Sequence, residues 1–367
     1  MRARRSAKFA EYLSTYAILE RIAIHPTTLI EKRDAAVGVG VYVRDACDAG
    51  TSLLAVPSKR FCTNSVLSKV GLKTRFCSPW PSAAASTAPQ TTATQTCDDV
   101  GDGLVAYLTG SSQWPELAWR LALEQHRSVS HLWGWLQSLP SAEEMAERKE
   151  AAERQCRVHH TMLLPYYLKG RRRIRDEVAS AHAQLRPHNI LPPLEQFAWA
   201  VDVLVSRGQS VPTAWPSTSS VEQRSRSTTT TDDGDEDGGD DDDSLAHASL
   251  ECGVVPFLDL VNAADGAGRT ANATVEVATS LEALPQFLKD DLMANAEARG
   301  HGSGGGESAL AQLEELLKTH YYLCLTLHTP LRASAEVILD WQVPVVTTGV
   351  LTPDEDAVVS RLLKYMF

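Results

Sequence analysis

The segment VPFLDLVNAADG closes an apolar run on Asp259 and Asn262, and an acid and an amide at the end of such a run need a chemical reason. A buried amide can both donate and accept hydrogen bonds, so Asn262 is a candidate for reading the edge of a ligand. Ser206-Arg207 ends the stretch LEQFAWAVDVLVSR. A guanidinium there can bind a carboxylate through two parallel hydrogen bonds, or it can be a solvated helix-end arginine. Gly38-Val39-Gly40 opens GVGVYV, and glycine allows a backbone to approach a ligand without a Cβ clash, although a lone GxG also fits an ordinary hairpin turn. In RASAEVILDWQ the chemistry-bearing side chains are Glu336 and Trp341. An indole supplies a stacking face and one N–H donor but no acceptor oxygen. Tyr365, near the end of VVSRLLKYMF, is either a packed aromatic or a hydroxyl that faces a ligand.

Other clusters are weaker. His159-His160 has no third ligand at a metal-binding spacing, so no metal site is expected. The acidic run DDGDEDGGDDDD at 232–243 reads as solvated chain. KGRRRIRDE at 169–177 reads as the basic face of a helix turned to water, with an acidic partner as the alternative.

The elements that would carry these residues follow from composition and periodicity. The chain has 367 residues, 43% of them hydrophobic, enough for about two domains with a substantial core. The formal net charge is −11, and the acidic run alone holds nine acids, which leaves only −2 elsewhere. Nothing in that balance argues for direct nucleic-acid binding. The seven cysteines are odd in number and scattered, which points to reduced thiols inside the cell and away from a structural zinc site. No apolar run approaches the ~18 residues of a membrane span. The first residues, MRARRSAKFAEYLSTYAILE, carry four basic residues before the first acid at Glu11. They read as a basic lead into an amphipathic helix, with an organellar presequence as the alternative to a cytoplasmic or nuclear location.

Three stretches are too polar or too small-residued to offset their ordering entropy: 78–97, 208–249 and the glycine-rich 299–307. Between them, residues 1–77 alternate β-branched runs with Gly, Asp and Pro, the pattern of short strands and tight turns. Residues 101–207 read helical: Leu117, Leu121 and Leu123 recur near helical spacing, and Phe197, Val201, Leu204 and Val205 share one face. Residues 251–342 return to strands in GVVPFLDLV, ATVEVAT, YYLCLTLHT and AEVILDWQVPVV, and 343–367 end in a helix. The expected fold class is α+β, a β-rich domain of short strands interrupted by an α-helical insert, with low-complexity segments at 78–100 and 208–250.

Taken in order, GVGVYVRDACDAG…LLAVP, LALEQHRSVSHLWGWLQSLP, FAWAVDVLVSR, VPFLDLVN and LRASAEVILDW resemble the SET-domain protein methyltransferases. The similar branch is that of the Rubisco large-subunit lysine methyltransferase, in which a helical insert splits the SET domain. The resemblance implies S-adenosyl-L-methionine as cofactor and a lysine side chain of a protein as methyl acceptor; a monomer that binds neither membrane nor nucleic acid directly is expected. This branch also contains histidine methyltransferases. In the family the glycine turn, here Gly38-Val39-Gly40, approaches the methionine end of the cofactor. Arg207 matches the arginine that faces the cofactor carboxylate. Asn262 matches the asparagine that reads the adenine, and Asp259 the aspartate that braces a crossing of two chain segments.

Two positions depart from the family pattern. The histidine that follows the asparagine is Ala263 here, and the catalytic tyrosine and its glycine are Trp341 and Gln342. Trp341 and Tyr365 are then the residues expected to line the target channel, with Phe367 nearby and Met366 in place of a glycine. Loss of one positioned polar group commonly costs about 10²–10³ in rate. A SET-like pseudoenzyme acting as a binding or scaffold protein is therefore the alternative to an active enzyme. In the family a C-terminal helical domain grips the protein substrate, and beyond the terminal helix at 343–367 no full domain of that kind is expected.

Overall fold

A computed structural model describes residues 21–34, 38–70, 103–125, 127, 130, 132–186, 190–213, 250–264, 269–298, 305–341, 345–346 and 349–365. The expectations for residues 1–20, 78–97, the acidic run, Gln342, Met366 and Phe367 fall outside them. In chain order the described elements are β1 (Ala23–Ile24), β2 (Thr28–Asp34), β3 (Gly38–Val43), β4 (Ser52–Pro57), β5 (Cys62–Thr63) and α1 (Asn64–Val70). A run of helices follows: α2 (Leu104–Thr109), α3 (Trp114–Glu124), α4 (Trp133–Leu136), α5 (Ala142–His159), α6 (Leu164–Gln184) and α7 (Leu194–Arg207). The chain then continues through β6 (Gln209–Pro212), β7 (Leu250–Val254), β8 (Asn262–Ala263), β9 (Ala273–Ala278), α8 (Gln286–Ala298), α9 (Gly305–Leu317), β10 (Tyr322–Leu327), β11 (Ile338–Leu339) and α10 (Pro353–Tyr365). This is an α+β architecture in which helices α2–α7 interrupt two strand-bearing parts.

The strands form a six-stranded sheet in the order β1-β4-β10-β9-β11-β8, a β2-β3 hairpin, and a three-stranded sheet β5-β7-β6. β10 sits in the middle of the largest sheet, antiparallel to both β4 and β9, and every one of its residues is buried. Side chains alternate across a strand. Leu323, Leu325 and Leu327 of β10 therefore enter the main core with Leu54 and Val56 of β4, while Tyr322 and Cys324 point the other way. That second face, with Ala55 and Ala278, is covered by Leu288 of α8 and by Leu313 and Leu317 of α9. A strand buried on both faces explains why YYLCLTL reads as a continuous apolar run.

The sequence reading missed α8 and α9, and α9 starts at Gly305, inside the stretch expected to be a loop. A second correction concerns 208–249, expected to be unstructured: Gln209–Pro212 form β6, because pairing with β7 satisfies their backbone whatever their side chains. A third concerns AEVILDWQVPVV, in which, among the described residues, Ile338–Leu339 alone form a strand. α7 was expected to bury one face, yet Phe197, Trp199, Ala200, Val201, Val203, Leu204 and Val205 are all buried. It is the central helix of the insert, so Asp202 is buried with it and forms an ion pair with Lys149 of α5. The basic stretch of α6 is also not wholly solvated, since Nη1 of Arg171 is buried.

Three packing details position the site. The Glu177 carboxylate of α6 accepts the N–H groups of Leu104 and Val105 at 2.7 and 2.9 Å and so caps the start of α2. Gly170 lets α6 and α10 meet closely, since a Cβ there would lie 2.7 Å from Leu363 Cδ1. The N-terminus of α5 is closed by a reciprocal capping box between Ser141 and Glu144. No described helix is long and apolar enough to cross a membrane.

Candidate functional site

The site is built on a buried acid. Asp259 lies in a 3-10 turn, Leu258–Leu260, and its side chain is fully buried. Nη1 of Arg207, at the C-terminal end of α7, donates to the Asp259 carboxylate at 2.8 Å and to its carbonyl oxygen at 2.9 Å. Trp135 Nε1 of α4 donates to both carboxylate oxygens at 3.3 Å. Burial pushes the Asp259 carboxyl upward, and Arg207 first, then Trp135 and the Phe257 N–H, act against that rise. Phe257 has φ +72°, a conformation unusual for a bulky residue, and the hydrogen bond from its N–H to Asp259 helps hold it. Arg207 was expected to face a ligand carboxylate with its fork. It does line the cleft described below, but Nη1 is committed to Asp259, because an acid buried this deeply requires a cation and hydrogen bonds.

Beyond the turn the chain enters β8, where Asn262 lies parallel to Ile338 of β11. The Asn262 side chain donates from Nδ2 to Glu336 Oε1 at 2.5 Å, and Arg269 lies 3.6 Å from the other carboxylate oxygen. Gly40 makes room for this amide: a Cβ there would stand 2.9 Å from Asn262 Nδ2 and 3.1 Å from the Tyr42 ring. β3 joins the same crossing, since Tyr42 bridges to Glu336 and Val337 N–H donates to the Val41 carbonyl at 2.8 Å. Asn272 completes it by donating to the Glu336 carbonyl and accepting the Ile338 N–H, both at 2.9 Å. Position 263, where the resemblance leads to the expectation of a histidine, holds alanine, and the Asn272 amide is bonded to the backbone of the neighbouring segment. Sequence reasoning missed Asn272, whose only signal is a polar residue at the entrance to a strand.

A cleft of about 340 Å³ opens over these groups. One wall is Val39, Val261, Asn262, Ala263 and Trp341. Trp341 Nε1 donates to the Val261 carbonyl at 3.1 Å, so the N–H expected to serve a ligand is spent and the ring supplies an apolar face. Most of the remaining lining comes from the insert and the last helix. It includes Leu108–Gly110 at the C-terminal end of α2, Ser206–Ser210 at the α7–β6 junction, Arg148 of α5 and Lys364 of α10, and Asp259 also lines the cleft. Lys364 is buried, and Nζ donates to the carbonyls of Leu108 at 3.1 Å and Gly208 at 3.5 Å. Burial brings its pKa down to about 8, against the opposing influence of Cys252. Burial, and next the charge of Arg207, lower the pKa of Arg148, while Glu144 acts the other way.

The structure thus brings Val39, Arg207, Asn262 and Trp341 to one cleft, with Gly40 directly behind Asn262. Gly38 opens β3, opposite Asp34 of β2. Tyr365 is the last residue of α10, and its side chain lies outside the described part of the structure. Trp341, expected in the target channel, lines the same cleft as the residues expected to hold the cofactor. Among the described residues no group of three or more His, Cys, Asp or Glu could hold a metal ion, and Cys47, Cys62, Cys156, Cys252 and Cys324 are free thiols.

The donor set suits a ligand that joins a heteroaromatic base to a charged amino-acid end. The cleft volume lies at the small end of the roughly 300–1,000 Å³ usual for small-molecule and cofactor sites. It offers an amide on the edge strand β8, an indole face, and the cations Arg148, Arg207 and Lys364, with the Asp259 carboxylate paired to Arg207.

No protein-family model matches the chain, and no curated protein matches it. Among solved structures it is similar to a crystal structure of the SET domain of LSMT bound to lysine and AdoHcy, at a TM-score of 0.48 and 13% identity over 98% of this chain and 57% of that one. It is also similar to a structure of Rubisco LSMT bound to AdoMet, at a TM-score of 0.44 and 12% identity over 96% of this chain and 55% of that one. The chain therefore spans a little over half the length of the solved chains it resembles.

Proposed function

We propose that this chain is a SET-fold protein methyltransferase that binds S-adenosylmethionine in the cleft and methylates a lysine side chain of a protein. One observation carries the reading. Val39, Arg207, Asn262 and Trp341 come from four distant sequence segments, each singled out by its resemblance to a SET motif, and all four line the same cleft.

In this reading, Asn262 and the backbone of β8 bind the adenine edge, and the cations of the insert wall bind the carboxylate. Asp259 acts on the ligand through Arg207, which it holds in place. The Trp341 ring excludes water from one side of the cleft. The cofactor supplies an electrophilic methyl on a sulfonium, and the acceptor is a neutral amine. Alignment of that amine is the step for which Trp341 offers least, since it has no hydroxyl and its N–H is bonded to Val261.

That commitment favours a second reading, a binding protein that keeps the cofactor site with little turnover. Transfer of labelled methyl from S-adenosylmethionine to proteins of a cell extract, with wild type and Trp341→Tyr side by side, separates the two. Label transferred by the wild-type chain supports the enzyme. Label transferred by Trp341→Tyr alone supports the binding protein, and a folded pair that transfers none overturns the methyltransferase reading.

A further inference from the structure

The three cations of the insert wall are not equivalent. Arg207 donates twice from Nη1 to Asp259, and Lys364 donates to two backbone carbonyls. Arg148 also lines the cleft, half-buried, yet it makes no hydrogen bond or ion pair among the described residues. Its neighbour in the helix, Lys149, pairs with Asp202. The acid of its own helix whose charge acts on Arg148 is Glu144, whose Oε2 is taken by the Ser141 N–H in the capping box.

A guanidinium held beside a second guanidinium, partly out of water and without an acceptor, is an unfavourable arrangement for the empty protein. An anion in the cleft relieves it. We infer that Arg148 is a receptor for the carboxylate of the ligand's amino-acid end, acting beside Arg207, whose Nη1 is held by Asp259. This rests on the proposed S-adenosylmethionine site and adds a binding residue from the helical insert. The planar fork of Arg148 can take both oxygens of a carboxylate, a geometry that Lys364 lacks. The insert then takes part in ligand selection as well as in shape, since α5 supplies the group that separates an amino-acid-bearing nucleoside from a plain one.

Calorimetric titration with two probes tests this. S-adenosylhomocysteine carries the carboxylate, and 5′-methylthioadenosine has the same nucleoside without the amino-acid end. Wild type is expected to bind S-adenosylhomocysteine more tightly than 5′-methylthioadenosine. Arg148→Met should weaken S-adenosylhomocysteine by about tenfold or more, the usual scale for a charged hydrogen bond, and leave 5′-methylthioadenosine unchanged. Arg148→Lys should recover part of the loss, because it restores charge without the fork.

Unchanged 5′-methylthioadenosine binding also reports that the cleft is folded in each variant. Undiminished S-adenosylhomocysteine binding by Arg148→Met, or equal weakening of both probes, would overturn the inference and leave the proposed function standing. Wild type that binds both probes equally would do the same. Wild type that binds neither overturns the proposed function, and this inference with it.

Discussion

Asp259→Ala tests the foundation of the site. In the folded chain the Asp259 side chain is fully buried and that of Arg207 is only 13% exposed. Asp259 receives Arg207 Nη1, Trp135 Nε1 and the Phe257 N–H. Its removal leaves a guanidinium in low dielectric with one carbonyl for company, and it strips an indole N–H of its acceptor. Breaking one partner out of a buried pair costs about 3–5 kcal/mol. Against a total stability of roughly 5–15 kcal/mol that is a large fraction. The assay is urea denaturation followed by tryptophan fluorescence, read as a fall in midpoint at unchanged slope. The double variant Asp259→Ala/Arg207→Met removes both charges and is expected to recover part of the loss. If Asp259→Ala costs less than about 1 kcal/mol, or if the double variant costs the full sum of the singles, the pair does not organise this turn and the reasoning fails.

Three further outcomes follow from the same geometry. Lys364 has its pKa lowered to about 8 in the folded chain, so between that pH and its unfolded value near 10.5 the folded state binds fewer protons and stability rises with pH. Cys252 and Cys324, each pushed up to about 12, act in the opposite direction, so the effect is read as wild type minus Lys364→Met. That difference should grow by up to about 3 kcal/mol from pH 7.5 to 10.5, and a flat difference would contradict it. Gly40→Ala places a methyl 2.9 Å from Asn262 Nδ2 and should cost about 1–3 kcal/mol in denaturation and weaken S-adenosylhomocysteine, whereas wild-type behaviour would show that the amide yields freely. Trp341→Tyr frees the Val261 carbonyl and supplies a hydroxyl, and methyl transfer should rise by about 10²–10³, measured with labelled cofactor.

Much of the helical insert was legible in the sequence, because its apolar spacing is dense. LEQFAWAVDVLVSR coincides with α7, and YYLCLTL contains β10. The residues that meet at the cleft were legible only as ordered motifs, since no local property of Val39, Arg207 or Trp341 says that they converge. What escaped was decided by tertiary partners. β6 has a polar sequence and exists through pairing with β7. α8 offers a weak apolar stripe and gains its place by covering the second face of the main sheet. The commitment of Arg207 to Asp259, the engagement of the Trp341 N–H and the placement of Arg148 in the cleft depend on distances between segments far apart in the chain. A periodicity carries no such information.

The most direct measurement is calorimetric titration of the folded chain with S-adenosylmethionine, with Asn262→Ala as the paired variant. The account predicts saturable one-to-one binding by the wild type and its loss in Asn262→Ala at unchanged far-UV circular dichroism. A folded wild-type chain that gives no binding heat at millimolar cofactor would contradict it.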